Sequence, residues 1–174
     1  GGLMSGYSMP FWVDLTGDAQ PELVWLRHGS GTGFHESVCT VYNITGEGET
    51  IPLVEPWEEM AASISVSPQA WEDGYIRNFV TDSQGQLHTA WQWVQEEVWQ
   101  DCWYWPGKSG WTSLEIDQER GLVEAVMAFG LEVPQMFGAY MGELQTELSY
   151  DTEQRAIVRS APVSVSVYEK EEYR

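Results

Sequence analysis

Short runs in which apolar and polar residues alternate dominate this chain, and they predict strands joined by tight turns. Residues 10–14 (Pro-Phe-Trp-Val-Asp) and 22–27 (Glu-Leu-Val-Trp-Leu-Arg) are β-rich runs flanking a polar turn, Leu15 to Pro21, as in a hairpin. The glycine-rich stretch from His28 to Phe34 predicts a second turn. It leads into a strand rich in β-branched residues from Ser37 to Tyr42, and another strand begins near Thr50. Pro56 suits the first position of a short helix over 55–62. Trp57, Met60 and Ala61 then share one face, and Glu58 and Glu59 oppose the positive helix end. Ser63 to Ser67 alternates as a strand, and Tyr75–Val80 and Gln86–Trp91 flank an Asp82-Ser83-Gln84-Gly85 hairpin turn.

The last third follows the same period. Leu114 and Ile116 alternate with Glu115 and Asp117, and Glu119-Arg120-Gly121 turns the chain into Leu122 to Phe129. Tyr140, Leu144, Leu148 and Tyr150 line one strand face, with Glu143, Gln145 and Glu147 on the other, before Val163, Val165 and Val167. One polar face per strand implies antiparallel sheets covered on one side. Between Trp91 and Trp105 two patterns compete. Trp91, Val94, Val98, Cys102 and Trp105 have helical spacing and Pro106-Gly107 would stop a helix, whereas a turn at Glu96-Glu97 would make two strands. The persistent stripe favours the helix.

The predicted fold class is therefore mainly β: an antiparallel meander or sandwich of hairpins with one or two short helices. Its 174 residues fit one domain over 1–174, with residues 1–8 and 169–174 expected to fray.

Composition narrows the function. The chain has 27 acidic against 8 basic side chains, a formal net charge of -19, and a hydrophobic share of 43% that is enough for a core. That charge repels phosphate backbones and anionic headgroups, so nucleic acid is not an expected partner. No apolar run approaches the ~20 residues that span a bilayer. Any membrane contact is expected through a segment outside this chain. Cys39 and Cys102 form no disulfide framework and read as two small buried thiols.

The sharpest motif is the polar turn itself. Asp14, Thr16, Asp18 and Glu22 place oxygens at loop positions one, three, five and nine, and Gln20 adds a backbone carbonyl. Calcium takes six to eight such oxygens, so these five residues are the candidate metal ligands and calcium the candidate cofactor. Equally, Asp14, Thr16 and Asp18 could cap backbone amides in an ordinary hairpin turn. Ala19 stands where a glycine would ease the bend.

This loop resembles the Asp-x-Asn-Gly-Asp-Gly loop of FG-GAP (VCBS-type) repeats, which also links two strands. Residues 11–42 more closely resemble a group of secreted or membrane-anchored Firmicutes proteins with "VDLTGDG-x-x-E", a strand and "SGTGTG". The counterparts here are Val13-Asp14-Leu15-Thr16-Gly17-Asp18 and Ser30-Gly31-Thr32-Gly33. The resemblance implies an extracytoplasmic β-rich domain at the surface of a Gram-positive bacterium, as in lipoproteins or the outer domain of BlaR-type metallopeptidase sensors.

Aromatic content is the second unusual feature. Ten tryptophans are present, and six of them, from Trp91 to Trp111, crowd into one segment. Flat rings beside carboxylates and amides suit sugar rings, which makes Trp93, Trp99, Trp103 and Trp105 candidate ligand contacts for a cell-envelope glycan or other small ligand. The competing reading places these rings in the core. Catalytic signatures are sparse: neither Gly-x-Ser-x-Gly nor His-Glu-x-x-His occurs, and the acids among the aromatics, Glu96, Glu97 and Asp101, suit a solvated face. The sequence therefore predicts a non-catalytic binding or sensing module, with a carbohydrate-active protein or a calcium-stabilised adhesion module as alternatives.

Overall fold

The computed structural model describes residues 5–31, 34–45, 48–105, 112–132 and 139–170. Its elements begin with β1 (Ser5–Val13), β2 (Glu22–Gly31), β3 (Phe34–Tyr42), β4 (Thr50–Ile51), α1 (Trp57–Ala62) and β5 (Ser65–Glu72). Then come β6 (Tyr75–Thr81), β7 (Leu87–Trp93), a single 3-10 turn (Trp99–Asp101), β8 (Trp103–Trp105) and β9 (Thr112–Asp117). The last are β10 (Leu122–Glu132), β11 (Ala139–Asp151), β12 (Ala156–Arg159) and β13 (Ser164–Val167). The fold is mainly β, and every strand pair with a defined register is antiparallel.

Two compact units emerge, one from residues 1–56, 112–126 and 146–162, the other from 57–111, 127–145 and 163–174. Strands β10 and β11 each contribute to both.

In the first unit, β1, β2, β3 and β4 form a four-stranded meander in chain order. Alternation sends Val13, Val24, Leu26 and Val41 inward, and the interior also holds Leu114, Leu122, Val123, Leu148 and Ile157. The segment after β4 adds a short parallel bridge: Ile157 N–H donates to Pro52 O (2.8 Å) and Val54 N–H to Ile157 O (2.9 Å). Gly121, at φ +64°, turns β9 into β10 where an added Cβ would lie 2.5 Å from Asp14 O, so the backbone there tolerates no side chain.

In the second unit, β5, β6 and β7 form a three-stranded meander, with a bulge between Pro68 and Ala70. Its interior contains Met60 of α1, Ile76, Val80, Ala90, Val94, Met127, Phe129, Leu131, Met141 and Leu144. The helix is six residues long with Glu58 and Glu59 in its first turn, and Ser63 ends it by donating from N–H (3.1 Å) and Oγ (2.7 Å) to Met60 O.

Three expectations are corrected. Residues 91–105 are not a helix: β7 runs through Trp93, one 3-10 turn follows, and β8 pairs with Gly130–Glu132. Burial at Gln92 and Val94 with Trp93 exposed is period two, so the helical stripe reflected only chance spacing of apolar residues. The glycine-rich stretch is strand rather than turn as far as Gly31, because His28, Gly29, Ser30 and Gly31 pair with β3, and the first three also with β1; residues 32 and 33 lie outside the described residues. Residues 5–8, expected to fray, belong to β1 for the same reason. At the other end, the Lys170 ammonium sits 4.8 Å from the Trp91 ring and 5.3 Å from the Tyr75 ring, a cation–π contact, while residues 1–4 and 171–174 lie outside the described residues.

Candidate functional site

The β1–β2 turn is organised by its own carboxylates. Asp14 accepts the N–H of Gly17 (2.7 Å) and of Ala19 (2.9 Å), and Asp18 accepts that of Gln20 (2.8 Å). Glu22, only 2% exposed, accepts the N–H of Leu15 (2.8 Å) and Thr16 (3.3 Å) and the Thr16 hydroxyl (3.1 Å). The Asp14 and Glu22 bonds tie the loop to the strand ends that flank it, and the Asp18 bond closes the loop on itself. The structure thus places Asp14, Thr16, Asp18, Gln20 and Glu22 in one turn. Among the described residues, no group of three or more His, Cys, Asp or Glu side chains converges as a metal site does.

That turn sets the register of β1 on β2 and so decides what the sheet displays. Cross-strand partners in an antiparallel ladder point to the same side. Trp12 pairs with Leu23 and Leu23 with Tyr42, and in the neighbouring same-face row Pro10 pairs with Trp25 and Trp25 with Thr40. With Val24, Leu26 and Val41 turned inward, this row pair forms the outer face of the meander. Trp12 is 56% exposed and Trp25 39% exposed, and Pro10 is exposed too. Pro10 has no N–H to pair, which the edge position of β1 accommodates. The result is a partly exposed aromatic surface on the outer side of the meander.

The tryptophans singled out in the sequence are distributed differently. Trp93 is 43% exposed at the end of β7, beside Gly74, and Trp99 is half-buried in the 3-10 turn. Trp103 and Trp105 have strand backbones opposite Glu132 and Gly130, but their side chains lie outside the described residues, as does Trp111. Trp91 is covered by Lys170, and Trp71 Nε1 donates to Val94 O (2.9 Å). The outer face built on Trp12 and Trp25 was missed. Its signal was present: in Phe11-Trp12-Val13 and Val24-Trp25-Leu26, the flanking residues claim the core and leave each indole outside.

Groups with catalytic chemistry are held in structural pairs. His28 Nδ1 lies 2.7 Å from Ser37 Oγ with the Tyr7 ring centroid 4.6 Å away, yet Ser37 is buried, and among the described residues no carboxylate orients the imidazole as a triad requires. His88 Nε2 lies 3.0 Å from Asp82 Oδ2 across the β6–β7 turn, and this bond holds the Asp82 carboxyl below its ordinary range. Cys39 and Cys102 are free thiols. Burial pushes the Cys39 thiol up to about 12 and raises that of Cys102, so neither is a ready nucleophile. Arg120 anchors the acidic surface of the first unit, donating to Glu147 (2.6 Å) near Asp117 (3.8 Å) and Glu124 (3.9 Å).

No family model, curated protein or solved structure matches this chain. Among the described residues, no helix is long and apolar enough to cross a membrane.

Proposed function

We propose that this chain is a non-catalytic binding or sensing module displayed outside a Gram-positive cell, and that it meets its ligand on the outer face of β1, β2 and β3. The observation that carries this reading is the exposure of Trp12 and Trp25 on adjacent rows of a register-locked sheet. Indoles left 56% and 39% exposed forgo part of the ~1.5–3 kcal/mol that full burial supplies, so a pair of them side by side marks a recognition surface. The loop and glycine-rich motifs of residues 11–42, with their resemblance to extracytoplasmic Firmicutes domains, support the location.

The test is co-sedimentation with purified Gram-positive cell envelopes. The parent chain is expected in the pellet, and Trp12→Ala/Trp25→Ala, with an unchanged circular-dichroism spectrum, in the supernatant. Equal pelleting of both proteins, or of neither, would count against the reading.

A further inference from the structure

We infer that the outer face of β1–β3 binds a neutral polysaccharide through stacking of its sugar rings, a deepening that rests on the face being the recognition surface. Charge is the first argument. Trp12, Leu23, Tyr42, Pro10, Trp25 and Thr40 include no acidic or basic side chain, on a chain whose formal net charge is -19. On this face the first charges, Arg27 and Glu36, stand one and two rows beyond Pro10 and Trp25. At the opposite end Asp14 and Asp18 spend carboxylate oxygens on backbone N–H groups of their own turn. An anionic ligand is repelled by the whole molecule, and a cationic one finds no carboxylate on the two rows. A second copy of the chain brings the same negative charge. An uncharged partner fits.

Shape is the second argument. Trp12 and Trp25 occupy diagonal positions across two strands, which sets them about 7–8 Å apart on one sheet face. Small molecules are held in concave sites that enclose most of their surface. An open platform with two side-by-side indoles instead suits an extended chain that lays successive flat faces on successive rings. Sugar rings have such faces, whose C–H edges are attracted to the negative π-cloud. Their hydroxyls need polar neighbours, and Thr40 and Tyr42 supply hydroxyls on the same two rows, with Ser8 in the next.

The experiment is affinity electrophoresis and titration calorimetry of the full chain against neutral soluble polysaccharides (β-1,4-glucan, β-1,3-glucan, mannan, xylan, chitin oligomers) and polygalacturonate. At least one neutral polymer is expected to bind. Its affinity should be unchanged between about 50 mM and about 500 mM salt, since screening has no ion pair to weaken. Trp12→Ala and Trp25→Ala should each lose about tenfold or more, a change of about 1.4 kcal/mol, with Trp12→Phe between them and the parent. Trp93→Ala should bind as the parent does. Binding only to the charged polymer, or to no polymer, overturns the sugar assignment. If envelope pelleting is still lost in the double variant, or a concentration-dependent dimer is dispersed by Trp12→Asp, the face survives as a docking surface and only the ligand class falls. Undiminished sugar binding by both tryptophan variants overturns the face itself.

Discussion

The side-chain amide of Gln92 pairs with the backbone of Leu131 in both directions. Nε2 donates to Leu131 O (3.2 Å) and Oε1 accepts Leu131 N–H (3.0 Å), with both residues fully buried. The carboxamide reproduces the donor and acceptor of a peptide group, so a side chain of β7 serves β10 as a neighbouring strand's backbone would. Buried backbone groups are rarely left unpaired, and here one residue satisfies two.

Replacement of Gln92 by Leu should therefore be costly. It removes the two bonds that Gln92 makes to Leu131 and leaves two buried polar groups at ~1–3 kcal/mol each, so a loss of about 2–6 kcal/mol is expected. Urea unfolding followed by tryptophan fluorescence should show a lower midpoint with an unchanged slope. A midpoint within error of the parent would mean that the pair contributes nothing.

The β1–β2 turn offers a stabilising substitution. Ala19 has φ 66°, a left-handed conformation that costs an L-residue roughly 1–2 kcal/mol. Glycine removes this strain but adds ~0.5–1 kcal/mol of unfolded-state entropy. Ala19→Gly is expected to stabilise the chain by about 0.5–1 kcal/mol, read as a rise in melting temperature.

The neighbouring Asp14→Ala tests how the loop carboxylates act. Amide capping needs no ion, so a loss of about 1–2 kcal/mol is expected even with EDTA present. A loss that arises only when calcium is added would assign these carboxylates to the metal.

Cys39 should be slow to label in the folded chain. Its thiol is raised from 9.0 to about 12, three decades, so the thiolate population falls about a thousandfold relative to an unfolded chain. Maleimide labelling near pH 8 followed by mass spectrometry should modify Cys102 first, and both cysteines readily in urea. Prompt native labelling of Cys39 would contradict the raised value of its thiol.

Acid sensitivity follows from Asp82 and Asp151. The His88 hydrogen bond is the main cause of the lowered Asp82 value, and backbone N–H groups of Gln154 and Glu153 lower that of Asp151. A carboxyl whose folded value lies below its unfolded value, about 3.9, stabilises the fold above that pH. The contribution is lost as pH falls further through the folded value. Asp82→Asn/Asp151→Asn should flatten the pH dependence of melting temperature below about pH 4 relative to the parent, with little change in its slope above pH 6.

Local alternation was enough to place the strands around Trp12, Trp25, Val41, Val66, Leu114 and Leu148, because one covered face imposes period two on each strand whatever it packs against. The Asp14–Glu22 turn and the misfit of Ala19 were legible for a similar reason: those hydrogen bonds and that left-handed φ span only a few residues. Tertiary structure alone decided the rest. Residues 91–105 carried two periodicities, and pairing of Trp103–Trp105 with a partner strand some 25 residues further along the chain, together with the Gln92–Leu131 bond, selected the extended one. Gly29 of β2 became strand because β1 and β3 flank it on both sides, and Gly31 because it pairs with Phe34 of β3. The aromatic face, too, exists only through register, since alternation turns each indole outward but only cross-strand pairing sets Trp12 and Trp25 on adjoining rows.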